Sequence, residues 1–464
     1  MLVVKTGKNF RPERQWIIET LLGNFLGLEH EICFEGDQNE QTSIQLQDKT
    51  LTVDDQFFST NVGHWLKESS LPNQPLARWK VAADLPDVRL VGPELPVLFG
   101  NAGFARVDDS TARLNLDVFG SAFFMMSRYE EVALKSKDRF GRFPAADSVA
   151  VAEDFIERPI INEYLEVLWE CMKVHWPSLA RKERAYTQTI TCDVDRPYQP
   201  GTNSAFKQIR TVGADIVVRK SPTRAAQSLL NYVAAKTGNF RFDPYMSGLE
   251  RIMSVNERLG NRVTFYFIAS DSGKSLDGDY SIEDPIIGKA LKSLHERGHV
   301  IGLHPGITTF DNADGMLEER NRLSSVLADQ RIDQDLADVR QHYLLWRADL
   351  TPQIHESADF HMDSSMAFAE RCGFRAGVCY DYPFFSIVER RKLNLRIRPL
   401  IVMDTTVTSE SYMNFGTGTE AFQFISGLQD ACRRVSGEFV LLWHNDSFED
   451  EGHKRLYESI LEAS

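Results

Sequence analysis

Tyr186-Thr187-Gln188-Thr189-Ile190-Thr191-Cys192-Asp193-Val194-Asp195 is the run on which the fold turns. Its first seven residues are rich in β-branched and aromatic types, the composition of a strand, and two carboxylates follow at once. The order recurs downstream: Gly298-His299-Val300-Ile301-Gly302-Leu303-His304 and Leu441-Leu442-Trp443-His444 each end an apolar run on an imidazole. Acids and imidazoles at the ends of successive strands are the pattern of an α/β barrel, whose site lies at the carboxyl ends of parallel strands.

Outward from these runs, strand-like and helical segments alternate. Residues 263–268 read as a strand, and 285–297 as a helix with Ile286, Ile287, Ala290, Leu291 and Leu294 on one face and Gly298 as its stop. Strand 300–303, helix 316–327, helix 364–372, strand 376–379 and strands 396–403 and 439–443 follow. The alternation predicts a parallel barrel or sheet covered by helices. The interval from Asp195 to Val263 is too long for a simple connection. Its helical patterns and the bases Lys207, Arg210, Arg219, Lys220 and Arg224 predict a helical insertion around 198–260, placed as a lid.

Upstream, Pro177 and the polar run Arg181-Lys182-Glu183-Arg184 break the pattern, so the boundary is expected near residue 181. Residues 1–180 then form an α+β accessory domain, with a helix over 14–28, strands over 43–46 and 51–53, and a helix over 161–174. In that last helix Ile161, Tyr164, Leu165, Leu168, Trp169 and Met172 form one apolar stripe. Residues 181–464 form the chemistry-bearing domain.

A chain of 464 residues, 42% hydrophobic and 11% aromatic, has material for two packed cores. Its 52 lysines and arginines against 66 aspartates and glutamates give a net charge of −14, which repels a polyphosphate backbone and excludes nucleic acid as the expected partner. The amino terminus lacks the apolar core of a secretion signal, and no run approaches a bilayer-spanning length. A cytoplasmic protein is expected. The six cysteines show no paired CxxC spacing, so neither a zinc knuckle nor a disulfide framework is suggested.

Metal-assisted hydrolysis of an amide or ester needs fixed ligands, an open position, a base and an acid. Asp193 and Asp195 fall on one side of an extended chain, so one can bind a cation while the other serves as base; Asp-x-Asp is equally an ordinary polar turn. His299 and His304 are an odd number of residues apart and face opposite ways, which assigns His299 a structural role. His444, taken alone, reads as a core histidine. Asp404 follows a strand and can orient His444, or simply cap a turn. Asp363 precedes Ser364-Ser365 and reads as a helix cap. Arg375 suits an anionic substrate, a carboxylate or an ordinary salt bridge.

Five segments resemble, in order, the motifs of the NodB-homology polysaccharide deacetylases, carbohydrate esterase family 4. They are Thr191-Cys192-Asp193-Val194-Asp195-Arg196-Pro197, Thr264-Phe265-Tyr266-Phe267, 298–304, Arg340-Gln341-His342-Tyr343 and Leu441-Leu442-Trp443-His444. The likeness covers roughly residues 185 to 450. Further upstream, the stretch from Asp117-Val118-Phe119 to Arg128-Tyr129-Glu130-Glu131 and the stretch Asp138-Arg139-Phe140-Gly141-Arg142-Phe143-Pro144 resemble the accessory domain of a bacterial branch associated with surface-polysaccharide genes.

The resemblance implies a distorted (β/α)7–8 barrel that binds one divalent metal, usually zinc, and removes N- or O-acetyl groups from sugars. By position, it makes Asp193 the base, Asp195 and His304 metal ligands, His444 the general acid and Arg340 the group that orients the base. Two departures stand out. Val194 separates aspartates that are adjacent in the family, which leaves the roles of Asp193 and Asp195 exchangeable. The family's second histidine falls on Thr308, a poor zinc ligand. His342, two residues beyond Arg340, is expected to fill that place; the alternatives are a metal held by both aspartates and His304, or no metal at all.

The expected substrate is a small sugar or glycan, nucleotide- or lipid-linked, because the expected location is cytoplasmic. Two other readings remain at this stage. A glycosyltransferase would use Asp193-Val194-Asp195 to hold a metal and a nucleotide diphosphate, leaving His304 and His444 idle. A barrel that binds glycan or a partner without turnover would explain Thr308.

Overall fold

The computed structural model describes residues 1–35, 41–199, 205–218, 220–236, 240, 242–270, 275–278 and 280–463, so Arg219 of the basic insertion lies outside the described residues. In the first third, six strands form a mixed sheet in the spatial order His30–Phe34, Leu2–Thr6, Gln41–Leu46, Lys49–Asp54, Thr111–Leu116, Gly100–Arg106. The helix Ile160–His175 carries the predicted apolar stripe into the core.

The second sheet has nine strands: β1 Thr187–Val194, β2 Val263–Phe267, β3 Val300–Leu303, β4 Asp338–Val339, β5 Met362–Asp363, β6 Tyr382–Ser386, β7 Arg391–Ile397, β8 Val402–Met403 and β9 Glu438–Leu442. Their spatial order is β6-β7-β5-β4-β3-β2-β1-β9-β8. All neighbours are parallel except the β6–β7 hairpin. Sequence pattern follows from position. Strand β2 (VTFYF) is buried throughout and has no polar alternation, as a parallel strand covered on both faces must be. Strand β7 (RKLNLRI) belongs to the antiparallel hairpin and alternates buried with exposed residues.

The α/β reading therefore holds, with one difference. Hydrogen bonding runs as an open ladder, and no pairing among the described residues joins β6 to β8, so a closed barrel is not formed by these strands. Two predicted elements are also absent. Residues 364–372 and 376–379 are loop, not helix and strand. Their apolar side chains, Phe368, Phe374 and Val378 among them, are buried by long-range packing that imposes no local period.

Those loops meet the first third of the chain. The Ile161 N–H donates to the Gly377 carbonyl at 2.7 Å, Phe374 N–H to the Ile156 carbonyl at 2.7 Å, and Cys379 N–H to Asn162 Oδ1 at 2.9 Å. Gly373 (φ +134°) presses on the Ile156 carbonyl, where any side chain would collide. Of the three readings the sequence allows Arg375, the structure shows the ordinary salt bridge: Nε and Nη2 donate to the two oxygens of buried Glu131 at 2.9 and 2.7 Å. One apolar cluster runs through both halves, holding Trp16 and Phe123 together with Phe374 and Phe385.

Candidate metal centre

The carboxyl ends of β1, β3, β4 and β9 converge. Asp193 is the last residue but one of β1 and Asp195 lies just beyond it. His304 follows β3, His342 opens a short turn (His342–Leu344) after β4, and His444 stands two residues past β9. Strand order makes this possible, since β9, β1, β2 and β3 are consecutive neighbours.

Asp195 is the centre. Its Oδ1 is 3.2 Å from His304 Nε2, and its Oδ2 is 3.5 Å from His342 Nε2 and 3.9 Å from His444 Nε2. Asp193 Oδ2 stands 3.7 Å from His304 Nε2, while its Oδ1 is 3.5 Å from Arg340 Nη1. Arg340 is itself fixed by Nη2 donating to Ser364 Oγ at 2.9 Å. Every one of these side chains is buried except Asp195, which is 30% exposed and forms the open side.

Each histidine is anchored through its other nitrogen. His304 Nδ1 meets the Arg340 carbonyl, which can only accept, so the proton resides on Nδ1 and Nε2 offers a lone pair. His342 Nδ1 donates to Asp277 Oδ1 at 3.4 Å. His444 Nδ1 donates to Asp404 Oδ1 at 2.6 Å, and Asp404 Oδ2 accepts the His444 N–H at 3.0 Å and the Ser447 hydroxyl at 2.7 Å. Three imidazoles thus point Nε2 at one carboxylate.

Ligand atoms of Asp195, His304 and His342 lie within 4.8 Å of one another. Two imidazole nitrogens and one carboxylate oxygen with an open side suit a divalent metal with a coordination position left free. Asp195 Oδ1 is buried and faces His304 Nε2, whose proton is on the other nitrogen, so a cation between the two would satisfy both. The residues present therefore fit a metal.

Charge follows the same geometry. Burial pushes the Asp195 carboxyl up, but the positive His342 ring beside it prevails and holds it well below the carboxylate range. Burial disfavours a charged His342, yet Asp195 and then Asp277 raise it to about 9. His444 lies well above an ordinary histidine because Asp404, Asp195 and Asp193 outweigh its burial, and Asp404 is correspondingly held low against its own burial by His444.

The structure thus brings together Asp193, Asp195, His304, Arg340, His342, Asp404 and His444. Thr308 sits in a turn four residues past His304. His299 lies at the opposite end of its strand, accepting the Val263 N–H at 3.2 Å. Asp363 caps no helix; it binds the Ser365 N–H, Trp346 Nε1 and His355 Nδ1.

Sequence reasoning missed several residues. Asp277 also accepts the Ile307 N–H at 2.8 Å, and nearby Glu319, raised to about 7 chiefly by burial, accepts the Gly306 N–H at 2.9 Å. Neither lies at the end of a strand, and neither falls in a motif that the sequence offers. From the first third of the chain, Arg142 Nη1 donates to the Tyr343 carbonyl at 2.9 Å, and Phe140 stacks on the Tyr343 ring with centroids 5.9 Å apart.

Residues 2–177 match a family of unknown function, DUF7033. No curated protein matches the chain. Among solved structures, a chain from Mycobacterium smegmatis provisionally described as a polysaccharide deacetylase aligns over 61% of this chain and 84% of its own, at 14% identity and a TM-score of 0.40.

Proposed function

We propose that the protein is a metal-dependent hydrolase that removes an N-acetyl or O-acetyl group from a sugar in bacterial surface-glycan metabolism. The observation that carries this reading is the set of three histidines whose Nδ1 atoms are anchored on oxygens and whose Nε2 atoms face Asp195. A purely structural carboxylate needs one such partner, not three.

In this reading Asp195, His304 and His342 hold one zinc ion within an unclosed, distorted barrel. A cation held there would lower the pKa of a bound water and polarise the acyl oxygen. Asp193, held by Arg340, accepts the proton of the attacking water. A backbone N–H near Tyr343 would stabilise the developing oxyanion. His444, kept cationic by Asp404, protonates the departing sugar nitrogen, which cannot leave as an amide anion. Products are acetate and an amino sugar, and the substrate is a nucleotide- or lipid-linked sugar.

The test is metal analysis of protein purified without chelator, together with acetate release from acetylated nucleotide- and lipid-linked sugars. About one ion per chain is expected, lost in Asp195→Ala, with acetate release abolished. Protein that binds no divalent ion would overturn the reading.

A further inference from the structure

Within the insertion, helices α1 (Ala205–Val217) and α2 (Pro222–Lys236) pack as a hairpin whose polarity is reversed. Phe206 and Ile209 are each 72% exposed, Val217 74%, Val218 76%, Leu230 64% and Val233 60%. On α1 the exposed apolar residues 206, 209, 216 and 217 recur at helical spacing and make one stripe; on α2 residues 229, 230 and 233 make another.

The opposite sides hold polar groups, and those are buried. Gln208 Nε2 donates to the Ser228 carbonyl at 2.5 Å, Ser228 Oγ donates to Asp215 Oδ2 at 2.8 Å, and Asn231 Nδ2 donates to Gln199 Oε1 at 3.3 Å. This polar side faces a cavity of about 670 Å³, walled across from it by Ser247, Arg251 and Glu449. A hairpin surrounded by water places its apolar stripes inward, because each exposed aliphatic side chain forgoes the free energy of burial. Here hydrogen bonds fix the opposite orientation, so the apolar side is built for a cover.

Charge selects the cover. Residues 205–236 contain six lysines and arginines and a single aspartate, in a chain whose net charge is −14. Arg210 on α1 and Lys220 in the connection between the helices are exposed. Apolar side chains combined with local positive charge on an otherwise acidic protein match an anionic bilayer surface. No helix of the described residues is long and apolar enough to cross a membrane, so the hairpin would lie in the interface.

We propose that the 205–236 hairpin docks the protein on anionic lipid bilayers, inserting Phe206, Ile209, Val217, Leu230 and Val233 among the headgroups. This holds whether or not the metal centre is a deacetylase. The test is co-flotation of the full chain with vesicles of phosphatidylcholine containing about one third phosphatidylglycerol. Binding is expected to these vesicles, to be at least tenfold weaker to pure phosphatidylcholine, to fall with added salt, and to be lost in Ile209→Asp/Leu230→Asp. Phe206→Trp, a milder change, should add an emission component over wild type that shifts to the blue with the anionic vesicles. Wild-type protein that does not float with anionic vesicles, or an added emission in the Phe206→Trp variant that they leave unmoved, would overturn the proposal. So would a dimer dissolved by the same aspartates, which would make a second copy the cover.

Discussion

His342 is one of the three side chains whose ligand atoms cluster at the candidate metal centre, and its proton makes its role as a ligand testable. Asp195 and Asp277 raise it to about 9 against its burial, so the metal-free ring carries a proton at neutral pH that a cation must displace. Zinc binding at pH 7 is therefore expected to release close to one proton from this ring, and affinity should climb about tenfold per pH unit until it levels off near pH 9. Calorimetry in buffers of different ionisation enthalpy measures this; uptake without proton release would show that His342 is not a ligand. The linkage also has a stability sign. Because the folded pKa is raised, the metal-free protein gains stability from this group below the ordinary histidine pKa of about 6.5 and loses it as pH rises through about 9. His342→Ala should weaken zinc binding by at least about 100-fold, the upper end of what outer-sphere changes cost.

His444 and Asp404 make a separate statement about pH. A general acid must be protonated at the working pH, and Asp404 is the largest influence keeping His444 so against its burial. Acetate release is expected to fall on the alkaline side as His444 loses its proton. Asp404→Asn should move that limb to lower pH, while His444→Ala should cost about 10²–10⁴ in turnover with zinc retained. An alkaline limb that stays in place in Asp404→Asn would separate it from His444.

At the scale of elements, the turn His342–Leu344 matters most, because Tyr343 and Leu344 both take left-handed backbone angles (φ 58° and 52°). Such angles cost non-glycine residues energy and persist only where neighbours hold them. Arg142 supplies one such hold on the Tyr343 carbonyl. A charge-assisted hydrogen bond of this kind contributes about 1.5–3 kcal/mol, so Arg142→Ala should lower turnover by about tenfold or more while zinc content stays near one ion per chain. Unchanged turnover would reduce the contact to scaffolding. Nothing local in the sequence announces this link. Strands β1, β2, β3 and β9 were legible because each is an apolar or β-branched run, and β1, β3 and β9 end on an acid or imidazole. Asp277 was not, since it sits in the polar, glycine-containing stretch 270–280 without periodicity. Residues 364–379 have the composition of a helix and a strand but form neither, because hydrogen bonds tie residues 374–379 to residues 156–162, far away in sequence. The insertion's helices were legible by period, but which side faces outward depends on hydrogen bonds between α1 and α2 that no single helix encodes.

For the whole molecule, the sequence pattern suggests two domains divided near residue 181, yet the buried ion cluster between Arg128, Glu131 and Arg375 crosses that line. Glu131 accepts from Arg128 Nε at 2.7 Å and from Arg375 at 2.9 and 2.7 Å, and Arg128 also donates to the Arg375 carbonyl. Burial alone would raise the Glu131 carboxyl, but Arg375 and Arg128 hold it below its ordinary value. Removing one member of such a group leaves buried charge uncompensated and costs about 3–5 kcal/mol. A separated 181–464 fragment would leave Arg375 without Glu131, the Cys379 N–H without Asn162, and the wall of the shared core exposed. That fragment is therefore expected to be insoluble or unfolded, and the intact chain to melt in one calorimetric transition, lowered by several degrees in Glu131→Gln. Two resolved transitions, with the metal centre retained in the second, would instead show that the halves fold independently and that the first third is an accessory in the ordinary sense.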